Sequence, residues 1–247
     1  MNSDVMSQAS SADEPKGCHL RYLRRESFMR DYAALAFVSQ FPDRIAFNVF
    51  YEGLSDAEKD EFLRVGSTYL FLVKKGDWHV DVDGSDPVID YFTNSFKLVS
   101  LFSLIESLST EEHQDFYGWL VHAGEAIYPI KDNGDLRKLH EEYKLTFGSI
   151  RRCVAFFEGL PVERRKQLQG ALVVKGQRAR SVKEVAQFLY NLRSKFVHEG
   201  EFVLDISYIP VMSMHKNIST LTCLSMPEIL QLFEEGVIAH FRKADIT

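Results

Sequence analysis

Residues 181 to 200 read SVKEVAQFLYNLRSKFVHEG. Ser181 followed three residues later by Glu184 is a capping box, in which the serine accepts from the third residue's amide while the glutamate reaches back; Gly200 suits the left-handed C-cap of the same helix. At about 100° per residue, Val185, Phe188, Leu189, Leu192 and Phe196 share one face, while Gln187, Asn191, Ser194 and His198 line up opposite. The pattern predicts a helix buried on one side and carrying a polar stripe on the other. Arg193 precedes His198 by five residues, about 140° around an ideal helix, so the pair cannot reach one small ligand from a single undistorted helix. Either the helix ends early or a second subunit contributes.

Helical signals extend outward from this stretch in both directions. Capping boxes recur at Ser109–Glu112 and Ser225–Glu228, and the segments DLRKLHEEYKLTFGSIRRCVAFFEGL, with a break at Gly148, and PVERRKQL, behind Pro161, are helical in period. VIDYFTNSFKLVSLFSLIESL, opened by Pro87, is apolar on nearly every side, as expected of a central bundle helix. Further upstream, RYLRRESFMRDYAALAFVSQF and LSDAEKDEFLRVGSTYLFLV, with a Ser55–Asp56 cap signal, also predict helices. YLFLVKKGDWHVDV admits a second reading as two short strands. Residues 201 to 224, rich in β-branched side chains and containing Pro210, predict an extended loop or small hairpin. The fold class expected is all-α. A polar arm covers 1–17, a smaller mostly helical region 18–86 and a helical domain 87–247, with the boundary at Asp83-Gly84-Ser85-Asp86-Pro87.

The 247 residues are 45% hydrophobic and 26% charged, which excludes disordered, collagen-like and membrane-spanning classes. No long apolar run and no signal-peptide pattern occurs at the start, so the expected location is cytoplasmic, with no membrane partner. Cys18, Cys153 and Cys223 are too scattered for a disulfide framework or a zinc site and read as buried thiols. Net charge is −6, yet from Arg151 to Lys195 eleven basic residues face three acids, a local excess of +8. Within it, Lys175, Arg178 and Arg180 precede the motif helix and Lys195 lies on it; these are the candidates for contacts with RNA phosphates. His140-Glu141-Glu142 lacks the second histidine of a zinc helix. Asp81–Asp86 misplaces the glycine of a calcium loop, and no phosphate loop or nucleophile elbow is present. No metal and no cofactor is expected.

LYNLRSKFVHEG, residues 189 to 200, resembles the signature of the HEPN superfamily, an arginine followed by a few residues and a histidine at the end of a helix; its L-Y-x-L-R-S-x-x-V-H wording is similar to the Apea-like branch. The resemblance reaches more loosely over residues 88 to 247. It implies an all-α bundle of four or five helices that forms a homodimer with two motifs facing one cleft. Many members of that superfamily are metal-independent ribonucleases of defence or toxin systems, and others are non-catalytic binding modules. Carried to this sequence, the resemblance makes His198 the acid/base and Arg193 the phosphate clamp. It departs from the active members' pattern after the arginine, where Ser194 stands in place of the frequent Asn, Asp or His.

The chemistry suits those residue types. RNA is cut without metal when a base takes the 2′-hydroxyl proton, and imidazole is the side chain that changes protonation near neutrality. A planar guanidinium holds two oxygens of the phosphorane, and Asn191 and Ser194 share the histidine's stripe. Three readings stand at this point: an endoribonuclease, a non-catalytic module in which the same residues bind a nucleotide or a protein partner or hold the dimer together, and a structural bundle in which Arg193 pairs with an acid such as Glu106.

Overall fold

The structure, a computed structural model, describes residues 20–77, 86–108, 115–122, 132–215 and 217–244. The arm at 1–17, most of the boundary at 83–87 and the Ser109 capping box lie outside the described residues. The N-terminal part opens with α1 (Glu26–Ala36), α2 (Arg44–Gly53) and α3 (Asp56–Tyr69), the last capped by Ser55, whose amide donates to Glu58 Oε2 at 2.8 Å. Asp43 caps α2, a helix the periodicity did not single out. A π-helical turn, Leu70–Lys74, prolongs α3, so the two-strand reading fails as far as residue 77; Trp78 to Val82 lie outside the described residues. Gly66 explains how closely α1 and α3 pack: a Cβ there would sit 2.9 Å from Ala33 Cβ.

The central element is α4 (Asp86–Ser107), 22 residues or about 33 Å long. Its Leu98, Leu101, Phe102, Leu104 and Ile105 are buried. Then come α5 (Phe116–His122), α6 (Asn133–Phe147), α7 (Ser149–Glu158) and α8 (Val162–Gly170), with Gly148 extended at the predicted break between α6 and α7. The motif helix is α9 (Val182–Glu199), packed on α7, α4 and α8, and α10 (Met226–Ala244) closes the chain. Residues of the N-terminal helices, α4, α7, α9 and α10 belong to one continuous apolar core.

The described fold is mostly helical, as expected, with one small antiparallel sheet added to it. Its strands β1 (Leu172–Val174), β2 (Gln177–Arg178), β3 (Val211–His215) and β4 (Ile218–Thr222) run in the order β2-β1-β4-β3. The β3–β4 hairpin fulfils the expectation for residues 201 to 224. The β1–β2 hairpin carries basic residues that precede the motif helix: Lys175 and Gly176 take φ of 51° and 74°, the two positive values a two-residue turn demands. The thiols are corrected in part, since Cys153 is buried but Cys223 is exposed. Among the described residues, no helix is long and apolar enough to cross a membrane.

The polar joint between the N-terminal helices and α10 is Glu234, buried at 4% exposure. Its carboxylate accepts from Tyr69 Oη at 2.6 Å, from Lys74 Nζ at 2.8 Å and from Ser39 Oγ. Burial and then the charge of Glu234 push the Tyr69 hydroxyl far above its ordinary pKa, so it acts only as a donor.

Candidate functional site on the motif helix

At the start of α9, Ser181 Oγ accepts from the Glu184 amide at 3.3 Å, but the Glu184 carboxylate reaches past Ser181 to the Arg180 amide at 2.9 Å, half a capping box shifted by one residue. At its end, Gly200 adopts φ 72° and donates its amide to Phe196, the predicted C-cap. The helix therefore runs unbroken through His198, and an early end is excluded. Val185, Leu189 and Leu192 are buried as expected.

The last turn is held by aromatic packing. Phe196 meets Phe96 of α4 edge-on at 5.2 Å between centroids and stacks on Phe202 at 6.2 Å. The chain beyond Gly200 is pinned to α4 where Val203 donates to the buried Ser95 Oγ at 2.9 Å. These contacts fix the base of the turn that carries His198, which is itself exposed.

Arg193 lies on a different side. Its guanidinium sits 5.5 Å from the Tyr190 ring centroid, and its Nε is buried without a hydrogen-bond partner. It approaches the region of Cys153 on α7 and Glu106 on α4. Burial pushes the Cys153 thiol up to about 12, Glu106 adds to the rise, and Arg193 and Arg152 oppose it. Glu106 Oε1 is also buried and unpartnered. Arg193 and Glu106 thus share one electrostatic neighbourhood without closing to an ion pair. A buried polar atom left so costs about 1–3 kcal/mol, and such a cost calls for an explanation.

The remaining predicted residues divide into two groups. Asn191 lines a cleft of about 460 Å³ together with Gln187 and Phe188 of α9, Arg178 and Arg180 from the β1–β2 hairpin and the link after it, and Thr220 of β4. Lys175 stands exposed at the hairpin tip. Lys195 is engaged elsewhere, in a 3.1 Å ion pair with Glu201, and half-buried Ser194 lies on the stripe between Asn191 and His198. Neither Arg193 nor His198 lines the cleft. Gln187 was legible as part of the stripe, but nothing in the local pattern joined Thr220 to it. Among the described residues, no three His, Cys, Asp or Glu side chains come together to hold a metal ion.

The chain matches no family model, no curated protein and no solved structure. The functional reading therefore rests on these residues and their placement.

Proposed function

We propose that the protein is a metal-independent endoribonuclease, a HEPN-like helical bundle of defence or toxin type that works as a homodimer. His198 takes the proton of the 2′-hydroxyl; the 2′-oxygen attacks phosphorus; the bond to the 5′-oxygen breaks, and that oxygen takes a proton from water as it leaves, the imidazolium later returning its own proton to solvent. The products are a 2′,3′-cyclic phosphate and a 5′-hydroxyl. Arg193 stabilises the charge that grows on the phosphorane, and Asn191 and Ser194 orient the imidazole or a water. The observation that carries this reading is an unbroken α9 that leaves His198 exposed on the stripe of Asn191 and Ser194. Because Arg193 points elsewhere on that helix, the reading requires a second chain, whose α9 completes the site. Apolar side chains left exposed beside the motif, Val197, Phe202 and Leu204, supply a surface for such an association.

A second reading, a non-catalytic module binding RNA, a nucleotide or a protein, is favoured by one observation: Arg193 Nε is enclosed beside Tyr190 instead of free to swing toward a phosphate. One experiment separates the two. A mixed RNA pool is incubated in EDTA with wild type, His198→Ala and Arg193→Ala, each first verified as folded and of the same oligomeric state. The nuclease predicts metal-free cutting with cyclic-phosphate ends, reduced by about 100-fold or more in both variants. A folded wild-type dimer that leaves every RNA intact overturns it in favour of the binding module.

A further inference from the structure

The cleft between the small sheet and the first half of α9 shares only Asn191 with the proposed bond cleavage, and its other walls are chemically specific. We infer that it binds one unstacked nucleotide of a single-stranded RNA, holding the base inside and the flanking phosphates at the rim. The inference rests on the preceding reading only in taking RNA as the ligand.

Three features of the cleft converge. The volume, about 460 Å³, is that of a small-molecule pocket. Phe188 of α9 presents a half-buried ring and Val174 of β1 an apolar side chain to the cleft, an apolar surface suited to a flat heterocycle. Gln187 and Asn191, one helical turn apart, add amide donors and acceptors that match the hydrogen-bonding edge of a base, and Thr220 adds a hydroxyl from the sheet side. Arg178 at the rim and Lys175 at the hairpin tip make no side-chain hydrogen bond or ion pair among the described residues, and Arg180 gives one bond to the neutral Gln177 at 3.1 Å. Glu184 is the one acid in the lining, and its carboxylate already accepts from the Arg180 amide. Two arginines and a nearby lysine are thus left without a carboxylate partner around a cleft that an aromatic ring lines.

That combination selects among anionic ligands. An acidic peptide would satisfy the arginines but would leave the ring and the amides unused. A duplex keeps its bases stacked and away from Phe188, whereas single-stranded RNA offers splayed bases to aromatic faces and phosphates to arginines. Asn191 lies seven residues before His198 on the same stripe, about 10 Å along α9, so a strand leaving the cleft along the stripe reaches the histidine within two helical turns.

The test measures binding apart from cleavage. A 5′-labelled, unstructured RNA of about twelve nucleotides is titrated by fluorescence anisotropy in EDTA against the full-length His198→Ala chain, which keeps the RNA whole whether or not wild type cuts it. Arg178→Glu in this background is expected to weaken binding and to lower the slope of log K against log salt by about one. Phe188→Leu, which removes the ring but keeps an apolar side chain, is expected to weaken binding about five-fold or more with the slope unchanged. Lys138→Glu, on α6 away from the cleft, is expected to bind like the parent. Free 5′-mononucleotide should compete, and inorganic phosphate and poly-glutamate should not at equal charge. Three results overturn the inference: no RNA binding by the folded parent, unchanged binding by both cleft variants, or displacement by poly-glutamate as effective as by mononucleotide, the last of which assigns the cleft to an acidic protein partner. Cutting by wild type with unchanged cleft variants removes the cleft and leaves the nuclease; cleft-dependent binding without any cutting does the reverse.

Discussion

Replacing Glu234 by leucine should detach the N-terminal helices from α10. The carboxylate is 6% exposed and holds three close donors and a fourth, Gln40 Nε2, at 3.5 Å; its cationic partner Lys74 is 21% exposed and has a further acceptor in the Ala36 carbonyl at 2.5 Å. Removing one member of a buried ion pair costs about 3–5 kcal/mol because the other charge stays desolvated. Here Lys74 keeps a carbonyl and some water, so Glu234→Leu belongs near the lower end, at about 3 kcal/mol, a large share of a typical domain stability of about 5–15 kcal/mol. Lys74→Met leaves the carboxylate buried with the Tyr69 and Ser39 hydroxyls and a long 3.5 Å bond from Gln40 Nε2, and should cost a similar amount. The double variant removes the charged pair together and should cost clearly less than the sum, by about 1 kcal/mol or more. Urea unfolding followed by circular dichroism measures all four corners of this cycle. Single costs below about 1 kcal/mol, or strict additivity, would refute the view that this bridge joins the two parts of the fold.

Cys153 should resist alkylation in the native protein at about pH 8 while the exposed Cys223 reacts, as read by mass mapping of labelled peptides. Its thiol titrates near 12 when folded and, when unfolded, at the usual value of about 8.5, so the unfolded state releases its proton first. The contribution is therefore whole below about pH 8.5 and is lost as pH rises above it; the stability advantage of wild type over Cys153→Ala should shrink between about pH 8 and pH 10.5. Gly200→Ala places a side chain at φ 72° and should cost about 1–2 kcal/mol in urea unfolding, by straining the cap beside His198. In Gly236→Ala the new Cβ would meet Phe156 Cζ at 2.4 Å, an overpacking worth about 1–3 kcal/mol, whereas Gly53→Ala, with open space around it, should cost nothing measurable; thermal melts of the two compare them directly.

Helix α9 was legible almost to the residue because its signals are local. A serine cap, an apolar stripe at helical spacing and a glycine C-cap all act within a few residues, and α3, α4 and the break at Gly148 declared themselves in the same way. Helix α2 escaped because RIAFNVFYEG is only ten residues long and leaves the apolar Ile45 and Val49 exposed. The β1–β2 hairpin escaped because a strand of three residues carries almost no periodicity of its own. It is completed by pairing with β4, in which Val173 lies opposite Leu221.

The polar stripe, the basic surplus before it and the angular separation of Arg193 from His198 were determined by the sequence alone, since each follows from residue order on a regular helix. Which of those groups meet was decided only by tertiary structure. The hairpin sets Arg178 and Arg180 across a cleft from Gln187 and Asn191; Lys195 is claimed by Glu201; and Arg193 turns toward Tyr190 and the neighbourhood of Cys153 and Glu106. The physical reason is range. Caps and amphipathic faces arise from interactions across one or two turns, whereas a cleft or a buried guanidinium depends on side chains brought together by core packing from segments tens of residues apart.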